Sequence, residues 1–179
     1  NTGRLKSHVI DQRTALAHSN TPERIAQYTV LRELGAGGMG VVYEVQDPTL
    51  PRRLALKTIV SGLASTTATT RFLREAEALA KVTHRHVVKI HQIGEWSGGH
   101  YVTMDLISGD TADASVQTGG PWDGQRVALL GRELADALTA MHATGLSHRD
   151  LKPKNVMLRD DGSPVLLDFG IVRDVNAET

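Results

Sequence analysis

The chain has 179 residues, of which 40% are apolar, 20 are basic and 20 acidic. That length can bury a real core, and a formal net charge of zero gives no bulk field toward nucleic acid or an anionic membrane surface. The absence of cysteine excludes disulfides and thiolate metal sites, and no apolar run approaches the length of a membrane span.

Residues 1–27 are polar, with only short apolar patches at Val9, Ile10 and Leu16, and read as a tail. From Tyr28 the pattern changes: Tyr28, Val30 and Leu34, then Val41 to Val45, predict strands on either side of a glycine cluster. Residues 53–60 alternate as a further strand, after a turn at Asp47-Pro48. Residues 61–70, rich in Ser, Thr and Ala, read as a mobile loop. Phe72, Ala76, Leu79 and Ala80 then predict a helix over 70–82.

Two short strands are expected at 87–90 and 100–106, followed by an aperiodic connector over 109–124. Val127, Leu130, Leu134, Leu138 and Met141 step by 3, 4, 4 and 3, which predicts a helix over 125–142. A hairpin closes the series, with strands at 156–158 and 165–167 around the turn residues Asp160, Asp161, Gly162 and Ser163. Strands come first and a helix with a hairpin later, which implies an α+β chain of two lobes meeting near 104–109.

Gly35-Ala36-Gly37-Gly38-Met39-Gly40 allows backbone amides to approach phosphate oxygens without Cβ clashes. A dinucleotide-binding turn has the same spacing but leads into a helix. Here the β-branched Val41 and Val42 follow, and no Gly-Lys-Ser/Thr is present. Lys57 lies 17 positions beyond Gly40 within an apolar strand, where a lysine can simply snorkel at a strand end. Glu75, however, falls inside the apolar stripe of the 70–82 helix and needs a cation, for which Lys57 is the natural partner. Glu77, on the flank of that helix, is the competing carboxylate.

His148-Arg149-Asp150-Leu151-Lys152-Pro153-Lys154-Asn155 follows, and Asp168-Phe169-Gly170 comes 18 residues after Asp150. With the glycine cluster and Ala55-Leu56-Lys57, these motifs in this order resemble the eukaryotic-like Ser/Thr protein kinase family, in its bacterial form, over residues 28–173. The resemblance implies a bilobal α+β kinase fold, with a β-rich N-lobe and hinge over 28–108 and a partial, mainly helical C-lobe over 109–179. It implies transfer of the ATP γ-phosphoryl group to protein Ser or Thr hydroxyls. Residues 35–41 (Gly35, Ala36, Gly37, Gly38, Met39, Gly40 and Val41) are then the phosphate-covering loop. Lys57, held by Glu75, meets the α- and β-phosphates.

On the same resemblance Leu34, Val42, Ala55 and Met157 sandwich adenine, Met104 is the gatekeeper, and Asp105 to Ile107 form the hinge whose backbone bonds the base. Asp150 accepts the substrate proton, Lys152 balances γ-phosphate charge, and Asn155 and Asp168 hold Mg²⁺. Leu79, Ile90, His148 and Phe169 correspond to a stacked apolar spine, so His148 reads as structural. His84, His86 and His91 have no carboxylate or Cys to complete a zinc set, and Asp160-Asp161 reads as a turn.

The chain ends nine residues after Gly170, before any Ala-Pro-Glu motif, and Arg85 stands where relatives commonly carry proline. The expectation is a truncated domain that binds ATP and is poorly active alone. Its partners would be Ser/Thr-containing proteins and a second copy in autophosphorylation, with no nucleic acid, in the cytoplasm. The rival readings are a non-catalytic nucleotide-binding scaffold and a small-molecule phosphotransferase. Lys152 and Arg149 argue against the phosphotransferase.

Overall fold

The computed structural model describes residues 21–37, 40–60, 66–97 and 99–167. Its strands are β1 (Arg24–Ile25), β2 (Tyr28–Gly37), β3 (Gly40–Gln46), β4 (Arg53–Val60), β5 (Ile90–Trp96), β6 (Gly99–Asp105), β7 (Asp110–Thr111), β8 (Val156–Leu158) and β9 (Pro164–Leu166). The helices are α1 (Thr66–Ala80), α2 (Ala112–Gly119) and α3 (Gly124–His142), with a short 3-10 turn at Pro153–Asn155. β1 to β6 form one antiparallel sheet in the order β1-β2-β3-β4-β6-β5, and β7-β8-β9 form a second, three-stranded sheet. The architecture is the α+β, bilobal one expected, with a β-rich lobe carrying α1 and a second lobe built on α2, α3 and the small sheet.

β4 is apolar on both sides because both of its faces are covered. Leu54 and Leu56 join Ile25, Tyr28, Tyr43, Val45 and Tyr101 in an outer cluster. Ile59, on the opposite face by the two-residue period of a strand, joins the larger core. That larger core runs through both lobes, taking Phe72, Ala76 and Leu79 from α1, Ala137 and Met141 from α3, and Val165 and Leu166 from β9. α1 therefore packs through its expected stripe.

Four differences from the sequence reading have physical causes. Ile25 is wholly buried and β1 pairs with β2, so part of the polar 1–27 stretch contributes to the core. Helix α1 is already formed at Thr66, within the stretch read as a loop, because the buried stripe of its later turns carries the weak helix formers of its first turn. The strand expected at 87–90 instead begins at Ile90. Val87 and Val88 are buried because the segment after α1 threads between the lobes, with Val88 N–H donating to Leu166 O and Leu166 N–H to His86 O. The connector over 109–124 contains α2, too short to show a period. Its ends are marked by the Thr111 hydroxyl accepting from Ala114 N–H and by Gly120 at φ 79°. On α3 the stripe holds at Leu130, Leu134, Leu138 and Met141, but Val127 is half exposed.

Glu44 is the buried charge of the sheet. Its side chain is 3% exposed, and it accepts from Arg32 Nε at 2.7 Å and Arg53 Nη1 at 2.8 Å. Burial works to raise its pKa, but the hydrogen bonds and charges of Arg53 and Arg32 outweigh it and hold the carboxyl below its usual range. A group depressed in this way stabilises the fold above the ordinary carboxylate range and loses that contribution as pH falls through its own pKa. Both arginines are largely exposed and can rehydrate. Glu44→Gln is therefore expected to cost about 1 kcal/mol at neutral pH, read as a fall in Tm of about 2–4 °C. In acid the difference between variant and wild type should close, and thermal melts across pH check it.

Candidate active site

Pairing across the large sheet puts several of the expected residues on one face. Lys57 stands opposite Val42 on β3 and Val102 on β6, while Ala55 stands opposite Met104. Directly opposed residues share a face, as do alternate residues of a strand, so Val42, Ala55, Lys57 and Met104 line the same side. Lys57 is half-buried there. Leu34 falls at a bulge in β2, between Glu33 and Gly35, and is 38% exposed. Ile107 packs against the large core, and Met157, on β8, is half-buried opposite Thr111 and Val165.

The glycine cluster forms the end of the β2-β3 hairpin, with Gly35 opposite Val42, Ala36 opposite Val41 and Gly37 opposite Gly40. Gly38 and Met39 lie outside the described residues, as do Asp168 and Phe169. The three described glycines differ in what they require. A Cβ on Gly40 would lie 1.7 Å from Thr58 O, where the Thr58 hydroxyl also bridges Val41 N–H at 3.1 Å and Val41 O at 3.0 Å. Around Gly35 and Gly37 a Cβ would meet nothing within 4 Å. Packing accounts for Gly40, whereas Gly35 and Gly37 leave space open above the hairpin.

The second set of residues sits on the segment entering β8. Asp150 N–H donates to His148 O at 2.8 Å, closing a three-residue turn around Arg149, whose φ is 59°. A side chain in the left-handed region is strained, and such strain persists only where the surroundings over-determine it. Here they do. Asn155 Nδ2 donates to Asp150 O at 2.8 Å and to Asp150 Oδ2 at 3.1 Å, and Lys152 Nζ donates to the same Oδ2 at 2.6 Å. Asn155 is buried and anchored through its own carbonyl, which accepts from Leu167 N–H at 2.9 Å. Its side-chain nitrogen is occupied by Asp150. His148 is buried, as are Leu79 and Ile90.

Glu75, on α1, lies 3.9 Å from Arg149 Nη1, so the two lobes meet there through charge. Burial raises the Glu75 pKa, and Arg149 and Arg71 offset part of that rise. A cavity of about 250 Å³ lies beside the pair, lined by Arg74, Glu75, Gly145, Leu146, Ser147 and Arg149. Arg149 as a partner for Glu75 was not foreseen. The two are 74 positions apart in the chain, and only the fold brings them together. The histidines go separate ways: His86 Nδ1 meets Pro164 O at 2.8 Å, and His91 Nε2 meets Asp105 Oδ1 at 2.6 Å. The Asp161 carboxylate is held within its turn by the Ser163 N–H and hydroxyl.

The protein kinase domain family matches residues 28–179. The chain belongs to that family. It is 40% identical over 148 residues to the serine/threonine-protein kinase PknD of Mycobacterium tuberculosis, covering 82% of this chain and 22% of the relative. It is 39% identical over 156 residues to the serine/threonine-protein kinase PknE of the same organism, covering 87% of this chain and 28% of the relative. The crystal structure of the Mycobacterium tuberculosis PknI kinase domain superposes with a TM-score of 0.72 at 36% identity, covering 84% of this chain and 62% of that one. The chain thus spans 22% of the PknD relative and 28% of the PknE relative it matches. Among the described residues of this kinase domain no helix is long and apolar enough to cross a membrane.

The glycines of the kinase hairpin give a direct test. Gly40→Ala drives a methyl group into the Thr58 backbone and should lower Tm by about 2–10 °C, in the range of overpacked sites. Gly35→Ala and Gly37→Ala should leave Tm within about 2 °C of wild type, because surface changes away from packing cost little. Any loss of nucleotide affinity in these two then reports the open space itself. Melts and titrations on the same samples separate the two roles.

Proposed function

We propose that this chain is the nucleotide-binding and phosphoryl-transfer part of a serine/threonine protein kinase, which moves the γ-phosphoryl group of ATP to Ser or Thr hydroxyls of proteins. The observation that carries the reading is the convergence of Lys152 and Asn155 on the Asp150 carboxylate, which fixes a base where a substrate hydroxyl can reach it. Lys152, poised at the same oxygen, supplies positive charge beside the transferred group. That charge stabilises the γ-phosphate while a short hydroxyl reaches Asp150.

Leu34, Val42 and Ala55 from the large sheet and Met157 from β8 enclose the adenine, Met104 closes the back of the pocket, and the 105–107 backbone bonds the base edge. Residues 35–41 cover the phosphates and Lys57 neutralises them. Glu75 exchanges its contact with Arg149 for one with Lys57 when the nucleotide is in place. Asn155 Oδ1 and the Asp168 carboxylate are the ligands for Mg²⁺, since two oxygen donors suit a small hard cation that keeps much of its water. Bound there, the metal supplies charge neutralisation to the phosphate oxygens. The lobes divide as 28–108 and 109–179, with 1–27 preceding them and β1 (Arg24–Ile25) joining the sheet of the first. The domain acts in the cytoplasm, on protein substrates and on a second copy of itself.

Phosphoryl transfer depends on positioning and electrostatics, so the reacting groups separate kinetically from the binding groups. Asp150→Asn should lower kcat by about 10²- to 10⁴-fold while leaving the KM for ATP near that of wild type. Lys57→Ala should lose both ATP affinity and rate. The assay is transfer of labelled γ-phosphate to a generic basic protein, with the modified residue identified by mass spectrometry. A majority of phosphotyrosine, or an unaltered kcat in Asp150→Asn, overturns the reading.

A further inference from the structure

We propose that His91 is a positioning residue for nucleotide recognition, acting by holding Asp105 at the point where the chain leaves the large sheet for the 105–107 backbone. The inference rests on the reading of that backbone as the base-binding segment. It starts from an irregularity in the strand pairing. Ile90 stands opposite Met104, but the next pair is Gln92 with Thr103, so one extra residue, His91, is inserted into β5. A bulge of this kind releases one side chain from the alternation of the strand and re-aims it. The released imidazole reaches along the neighbouring strand to Asp105, 14 positions on, with Nε2 2.6 Å from Oδ1.

Asp105 is the last residue of β6, paired with Leu54 on β4, and its N–H donates to Lys89 O at 3.0 Å. The backbone of Asp105 is thus tied on both sides, and His91 fixes its side chain as well. Beyond it, residues 106–109 form no regular structure until β7, and Ile107 is partly buried against the large core. The peptide groups between Asp105 and Ile107 are therefore suspended between a strand end and a side chain packed on that core. Any freedom in Asp105 passes directly into their orientation.

The alternative role, satisfying a buried charge, does not fit. The Asp105 side chain is 43% exposed and has water available to it, whereas His91 is 15% exposed. Lys89, Arg85 and Arg159 line the same groove as Asp105, a cavity of about 490 Å³. Yet among the described residues it is the His91 imidazole, not one of these three cations, that meets the Asp105 carboxylate within 4.0 Å. A pair this exposed contributes little to folding, so what the bulge secures is direction rather than stability. Hydrogen bonds to a base weaken steeply with angle, which makes orientation the quantity that matters.

The test is a double-mutant cycle read by nucleotide affinity. The whole chain is titrated with ATP and with adenosine, which has no phosphates, as wild type, His91→Ala, Asp105→Ala, the double variant and His91→Gln. Melting curves are taken for each. His91→Ala is expected to weaken both ligands by the same factor, roughly 3- to 30-fold for directly coupled residues. The double variant should be no weaker than either single one. His91→Gln, whose amide can donate to the carboxylate, should recover most of the loss, and Tm should stay within about 2 °C throughout. Wild type binding both ligands while His91→Ala binds them equally well overturns this inference alone. A loss seen with ATP and absent with adenosine, or strictly additive effects in the double variant, also overturns it. Wild type binding neither ligand overturns the nucleotide reading as well.

Discussion

The register of β4 decides what the rest of the molecule can do. Its two faces are buried in different clusters, Leu54 and Leu56 in the outer one and Ile59 in the one shared by both lobes. A slip of one residue would exchange the faces, driving Lys57 into the aromatic cluster and Leu56 into the site. Pairing with β3 on one edge and β6 on the other opposes such a slip, and so does the approach of Gly40 to Thr58 O. A lysine can stand in an apolar strand here because the apolar strand leaves it no other place.

The 148–155 segment solves the opposite problem, holding polar atoms still with little core around them. The turn at Arg149 is strained, and the fixed position of Asp150 is maintained against that strain by hydrogen bonds to its backbone and its carboxylate. Asn155 connects these bonds to the small sheet through Leu167. The position of Asp150 is thereby inherited from β8 and β9, which lie outside the turn itself.

What could be read beforehand follows the range of the signal. Gly40, Lys57, Asp150 and Asn155 sit in short local motifs, and α1 and α3 repeat often enough to show their period, so the elements carrying them were legible. α2 was missed because eight residues give barely two turns, although Thr111 and Gly120 marked its ends. Val87 and Val88 were misread because burial between lobes leaves the same apolar run as burial in a strand. Glu75 was recognised as a carboxylate in need of a cation. Its contact with Arg149, and that of His91 with Asp105, depend on segments distant in sequence and on a bulge no local pattern announces.

The bridge between Val87 and Leu166 has a mechanical meaning. It is an isolated parallel pairing, with Val88 N–H on Leu166 O and Leu166 N–H on His86 O, and it stitches the segment after α1 to the small sheet. Hydrogen bonds this close together oppose separation and sliding of the two segments far more than a turn about the line that joins them. In such a turn displacement grows with distance from that line, so atoms beside the stitch stay nearly still, as at the fulcrum of a pair of tongs.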